Sequence, residues 1–261
     1  MAYYQRLLAR LQVCTELSTA DLDQVCPQFG AIPDIGLSLF LLIINTTDAG
    51  PASPIQSAKL IPNSNTVQPS PTVYSPVDLN SITQNGLLAG PCKPVTVIWG
   101  RESLAPGNVG LNVGPPLFKA LAAVVDISKV TLQGVDYAAN LIVGLAGGNK
   151  ADGANMANLT EYAVAKCPGT QIVLAGYSQG AQLVRFCTNQ TTALSSIKAV
   201  VTFGDPFNLT AMPRVSPSIV KVFCHPGDLL CKGLPIITLA HGGYAADTPA
   251  AAAFIASKLK F

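Results

Sequence analysis

Ser178 is the residue with the clearest chemical setting. It lies in Gly176-Tyr177-Ser178-Gln179-Gly180, after the apolar run Gln171-Ile172-Val173-Leu174-Ala175 and before a helical pattern, Ala181-Gln182-Leu183-Val184-Arg185-Phe186-Cys187. Strand, tight turn and helix in that order would project the serine hydroxyl above the end of a sheet. The N-terminus of the following helix then offers backbone N–H groups and a positive dipole end to a developing oxyanion. The glycines let neighbouring backbone approach closely. Five residues are weak support alone, so the rest of the chain must supply a base and an acid.

The chain holds two histidines, His225 and His241. A serine nucleophile needs an imidazole to take its proton. His225 sits three residues from Asp228 at a strand end, and a loop presenting Asp228 can hardly present His225 to the same site. His241 lies in Ala240-His241-Gly242-Gly243-Tyr244, ahead of the last helix. The plain alternative is an ordinary loop histidine. The order Ser178, Asp228, His241 is the chain order of α/β-hydrolases. Asp205, in Gly204-Asp205-Pro206, competes as the acid because it also follows a strand. Asp228 is preferred because Cys224 and Cys231 bracket it. A disulfide across that short loop would fix the carboxylate, whose main task is to orient the imidazole. Asp205 is then assigned to local turn hydrogen bonds.

At 261 residues the chain suffices for one sizeable core plus an extension. Only 11% of residues are charged and 49% are hydrophobic, which argues against disorder. The net charge of +2 gives no reason to expect a nucleic-acid partner. Seven cysteines without a C-x-x-C pair fit disulfides in a secreted protein better than a metal site. Neither a metal nor any other cofactor is expected. Four N-x-S/T acceptors, at Asn45, Asn158, Asn189 and Asn208, are compatible with secretion.

Three regions are expected. Residues 1–34 are an N-terminal extension of unknown role, with a short amphipathic helix over Tyr3 to Val13 and an acidic stretch between Cys14 and Cys26. No apolar stretch of the signal-peptide kind directly follows Met1. Residues 35–90 join an apolar run, Ile35 to Ile44, to a Pro/Ser-rich linker. That run is too short to span a bilayer and reads either as a displaced secretion signal or as a buried helix or strand. Residues 91–261 form the main body. Strands are expected over Val95–Trp99, Val130–Val135, Ile172–Ala175, Ala199–Phe203 and Ile219–Phe223. Helices are expected over Pro115–Asp126, Met156–Lys166, the stretch after Ser178, and Pro249 to about Lys260. Continuous apolar strands alternating with helices make a parallel sheet covered on both faces, an α/β three-layer sandwich with no large lid domain.

The segments Cys224-His225-Pro226-Gly227-Asp228-Leu229-Leu230-Cys231 and Ala240-His241-Gly242-Gly243-Tyr244 resemble the acid and histidine segments of fungal cutinases. Gly176-Tyr177-Ser178-Gln179-Gly180 is similar to their nucleophile motif. Lys166-Cys167-Pro168 and Pro91-Cys92-Lys93-Pro94 are similar to their cysteine segments. Arg101-Glu102-Ser103-Leu104-Ala105-Pro106-Gly107-Asn108-Val109-Gly110 resembles their first oxyanion loop. The resemblance covers about Cys92 to Phe261 and implies an α/β-hydrolase fold. It implies Ser178 as nucleophile, His241 as base, Asp228 as orienting acid, and Ser103 and Gln179 as the oxyanion hole, Gln179 through its backbone N–H. It further implies the disulfides Cys92–Cys167 and Cys224–Cys231. Trp99-Gly100-Arg101-Glu102 stands where the family usually has Ala-Arg-Gly. The Arg101-Glu102-Ser103 wording, with Gly204-Asp205-Pro206, leans toward the related acetylxylan esterases.

Of the remaining cysteines, Cys14 and Cys26 could pair, and Cys187 reads as a buried free thiol. The resulting expectation is a secreted, monomeric serine esterase with no membrane span, acting on insoluble cutin-like polyesters. An acetylxylan esterase and a catalytically silent surface-binding protein are the alternatives. Two stretches, Asn140 to Leu145 and Leu234 to Leu239, could form an apolar rim for a waxy substrate or could be ordinary core.

Overall fold

A computed structural model describes residues 77–261. The readings made on Tyr3–Val13, on Cys14 and Cys26, on the run from Ile35 to Ile44 and on the linker as far as residue 76 lie outside the described residues.

Five strands make one parallel sheet: β1 (Val95–Gly100), β2 (Val130–Gly134), β3 (Gln171–Tyr177), β4 (Ile197–Phe203) and β5 (Val220–Phe223), in the order β2-β1-β3-β4-β5. The helices are α1 (Gly86–Ala89), α2 (Gly114–Ala122), α3 (Leu141–Leu145), α4 (Lys150–Lys166), α5 (Gln179–Gln190) and α6 (Thr248–Lys258). The three-layer α/β architecture read from the sequence is the one observed. Strand side chains alternate between faces, as a period of two requires. Val97, Trp99, Val173, Ala175, Val201 and Phe203 join Leu117, Phe118 and Ile255 of α2 and α6 on one face. Ile98, Ile172, Leu174 and Val200 join Met156, Leu183 and Val184 of α4 and α5 on the other. Both faces being covered explains why all of β1 is buried and why the strands read as unbroken apolar runs.

Helix α4 begins six positions before the Met156 start expected from periodicity. Asn149 caps it, its side chain accepting from Ala151 N at 2.9 Å. Its first turns carry polar residues and Gly153, where a Cβ would come within 2.1 Å of Phe186 Cβ. Close helix–helix packing there leaves no apolar side chain to mark the period. The stretch 77–90, expected as linker, belongs to the same compact unit as the sheet. Leu87 is buried, Gly134 N donates to Gln84 O, and Asn85 bridges Gln133.

Two disulfides tie the body. Cys92–Cys167 links the approach to β1 with the end of α4, and Cys224–Cys231 closes the loop after β5. These are the two pairs implied by the resemblance. Cys187 on α5 is buried and unpaired, and burial pushes its thiol up to about 12. Among the described residues no helix is long and apolar enough to cross a membrane.

Candidate active site

Ser178 stands between the end of β3 and the start of α5 with φ 56° and ψ −118°. This left-handed conformation is costly for a residue with a Cβ and is held by its surroundings. Two glycines make the turn possible. A Cβ on Gly180 would lie 2.0 Å from Gly100 O, and one on Gly176 would lie 2.4 Å from Gly180 O. The end of β1, the turn and the first turn of α5 are therefore packed backbone to backbone.

His241 lies in the 3-10 turn Leu239–Gly242, and Asp228 lies in the disulfide-closed loop after β5. The three side chains meet. His241 Nε2 is 2.9 Å from Ser178 Oγ, and His241 Nδ1 is 2.9 Å from Asp228 Oδ2. Asp228 is fully buried. Its Oδ1 accepts from Leu230 N at 3.1 Å, and its Oδ2 also accepts from Tyr244 Oη at 2.5 Å. Tyr177 Oη donates to the His241 carbonyl. Gly204, with φ 53°, leaves room for the ring, since a Cβ there would come within 2.6 Å of His241 Cε1.

The competing residues are engaged elsewhere. Asp205 is buried against Arg185, whose Nε lies 2.8 Å from its Oδ2, and it accepts from Phe207 N and Thr202 Oγ1. Desolvation nonetheless raises its carboxyl above the usual range. It makes the local turn bonds expected of it and an ion pair that the sequence did not suggest. His225 Nε2 pairs with Asp247 Oδ2 at 2.6 Å, and its ring stacks on Tyr244 with centroids 4.1 Å apart.

Ser103 faces Gln179. Its Oγ donates to Gln179 Oε1 at 2.7 Å, so the structure gives the Gln179 side chain a partner where the sequence suggested only its backbone. As the first residue of α5, Gln179 has a backbone N–H without an intrahelical acceptor. The loop carrying Ser103 is braced by Arg101, which donates to Ala105 O, Val135 O and Tyr137 O. Glu102 is buried beside it. Its Oε1 accepts from Asn112 Nδ2, and desolvation holds its carboxyl above the ordinary range.

Apolar side chains stand around this group. Leu104 follows Ser103, Ile142 lies on α3, and Ile236, Ile237 and Leu239 precede His241; all five are exposed, Leu239 fully at 101%. Gly144 of α3 sits over Ser103 and Gln179. A separate cavity of about 340 Å³, lined by Leu88, Gln133, Asp136, Asn155 and Tyr162 among others, contains none of these residues. Among the described residues no group of three or more His, Cys, Asp or Glu side chains is placed to hold a metal ion.

Sequence reasoning missed Tyr244, Tyr177, Gly204 and the Gln179 side chain. Tyr244 was within reach, being three residues past His241. The others act through the fold's long-range contacts and carry no local signal.

The family model described as Cutinase matches residues 91–259. The chain belongs to the cutinase family. With that membership it is a carboxylic ester hydrolase. A cutinase of Botryotinia fuckeliana is 39% identical over 184 residues, 69% of this chain and 90% of that protein. A cutinase of Pyrenopeziza brassicae is 39% identical over 171 residues, 65% of this chain and 84% of the relative. Among solved structures, Trichoderma reesei cutinase in complex with a phosphonate inhibitor is 37% identical. It has a TM-score of 0.65 and covers 70% of this chain and 82% of that one. An acetylxylan esterase, 23% identical with a TM-score of 0.51, shares the fold; the match covers 65% of this chain and 100% of that one.

Proposed function

We propose that this cutinase-family chain is a secreted serine esterase that hydrolyses cutin-like polyesters, with Ser178 as nucleophile, His241 as base and Asp228 as orienting acid. The observation that carries the reading is the unbroken relay Ser178–His241–Asp228, with both links at 2.9 Å. His241 takes the Ser178 proton as Oγ attacks the ester carbonyl, and the same imidazole then protonates the departing alkoxide. Water, activated by His241, hydrolyses the acyl-enzyme. Asp228 fixes the ring and stabilises the imidazolium. The oxyanion is met by the Gln179 N–H and by Ser103.

The exposed leucines and isoleucines around the site support an insoluble, apolar ester as substrate. Two disulfides and the extracellular chemistry of a surface polymer support secretion.

A fluorophosphonate probe should label Ser178 and no other residue. Ser178→Ala and His241→Ala should each lower turnover of a soluble butyrate ester by ~10⁴-fold or more, with melting temperature kept, because such groups act as a unit. His225→Ala should cost far less. If His225→Ala is the more damaging change, the base is misassigned. Leu239→Ser should lower release of monomers from cutin while leaving the soluble ester unaffected. Faster deacetylation of xylan than cleavage of butyrate esters would replace the polyester reading with an acetylxylan esterase.

A further inference from the structure

We infer that the side chain of Gln179 is a positioning residue that controls where the Ser103 hydroxyl points its proton. The inference rests on the proposed role of Ser103 as an oxyanion donor.

A serine hydroxyl has one proton to give. In the structure Ser103 gives it to Gln179 Oε1 at 2.7 Å. A proton committed there does not reach a developing oxyanion. Gln179 is only 2% exposed, and its Nε2 is buried with no hydrogen-bond partner. A half-turn of the terminal amide exchanges its oxygen and nitrogen with almost no change of shape. Nε2 then donates to Ser103 Oγ, and the Ser103 proton is free to point at the carbonyl oxygen. Either orientation leaves one buried amide atom unpartnered, so the two are close in energy. Negative charge on the carbonyl oxygen favours the second, because only there does the hydroxyl donate to it.

The surroundings leave room for this turn. A Cβ on Gly144 would lie 3.0 Å from Ser103 Oγ, 3.1 Å from Gln179 Cδ and 3.2 Å from Gln179 Oε1, tighter than most real contacts. Glycine at 144 keeps that space open. Gln182 Nε2 donates to Gly144 O at 2.9 Å and holds the α3 backbone in place above the amide.

The test measures kcat and KM on p-nitrophenyl butyrate for Gln179→Met, Gln179→Glu, Ser103→Ala and the double variant Ser103→Ala/Gln179→Met, each checked by thermal melting. Methionine keeps the length and removes both hydrogen-bonding atoms. Gln179→Met should lower kcat about 10-fold with KM within about twofold, since the loss is confined to the transition state. Gln179→Glu should lose at least as much, because a carboxylate only accepts and keeps the Ser103 proton. Ser103→Ala should lose ~10²-fold, and the double variant should be no slower than Ser103→Ala alone. A double variant slowed by the product of the two single losses would show that Gln179 acts independently of Ser103 and would overturn the inference. So would wild-type kcat in Gln179→Met or Gln179→Glu. Wild-type kcat in Ser103→Ala would remove Ser103 from the site and this inference with it, while the Ser178 labelling result would stand. Activity surviving in Ser178→Ala would instead sink the serine mechanism itself.

Discussion

Asp228 is fully buried and holds three hydrogen bonds, from Leu230 N, His241 Nδ1 and Tyr244 Oη. The tyrosine is the least obvious of them. Its phenol is held far above the usual range by burial and by the Asp228 carboxylate, so it keeps its proton and donates to Asp228 while accepting from His225 N at 3.0 Å. Tyr244→Phe removes that donor without opening a large cavity. Hydrogen bonds to charged groups contribute roughly 1.5–3 kcal/mol, so the variant should lose about 2 kcal/mol of stability and on the order of 10-fold in kcat. Denaturant melts and steady-state kinetics check both; an unchanged kcat would mean that Asp228 needs no help from the ring. At this scale the sequence was legible where chemistry demands a residue type. A serine in a strand–turn–helix setting, one histidine free of the acid's loop and a cysteine-bracketed aspartate can be found by reading. The Gln179 amide could not be, because its role comes from which side chains separate loops bring together, whereas Tyr244, three residues past His241, was within reach.

Among the elements, the two disulfides differ in what they span. Cys92–Cys167 has a sequence separation of 75, and Cys224–Cys231 one of 7. Chain-entropy reasoning gives about 4.5 kcal/mol for a loop of the first size and about 2.4 kcal/mol for the second. Cys92→Ser should therefore depress the melting temperature more than Cys224→Ser. Cys224→Ser should instead cost more activity per degree of melting temperature lost, because its loop carries Asp228. Equal losses of melting temperature in the two variants would count against this division. The strands were readable because burial on both faces leaves only apolar residues. Helix α4 was half hidden because its early turns pack through Gly153 and cap through Asn149. The stretch 77–90 looked like linker because its packing is made largely by backbone and amide hydrogen bonds, as from Gly134 N to Gln84 O, rather than by a run of apolar side chains.

Taken as a whole, the protein places a buried carboxyl beside its site. The Glu102 carboxyl lies above its ordinary 4.5, with desolvation the leading cause. The folded state binds this proton more tightly than the unfolded chain does. The resulting stability is fully present below pH 4.5 and is lost as pH rises through the raised value. Glu102→Gln keeps an acceptor for Asn112 and removes the ionisation. It should raise the melting temperature at pH 8 and leave it nearly unchanged at pH 4, as paired thermal melts would show. The same gain at both pH values would place the effect in packing rather than in charge.

The Cys92–Cys167 bridge also bears on how the chain finds its fold. Strands β1 and β3 are direct neighbours with Val95 opposite Gln171, yet the 70 residues 101–170 lie between them in the chain. Cys92 stands three residues before Val95, and Cys167 four before Gln171. The bridge therefore pins the leading ends of the two strands close to their final alignment. A one-residue slip would turn every side chain of a strand to the wrong face. In an oxidised but unfolded chain this parallel pairing becomes a short search instead of a long one, and long-range parallel pairing is the slow step for folds of this topology. The bridge thus works as a starting block for the sheet, and reduction should slow refolding even under conditions where the reduced native state persists.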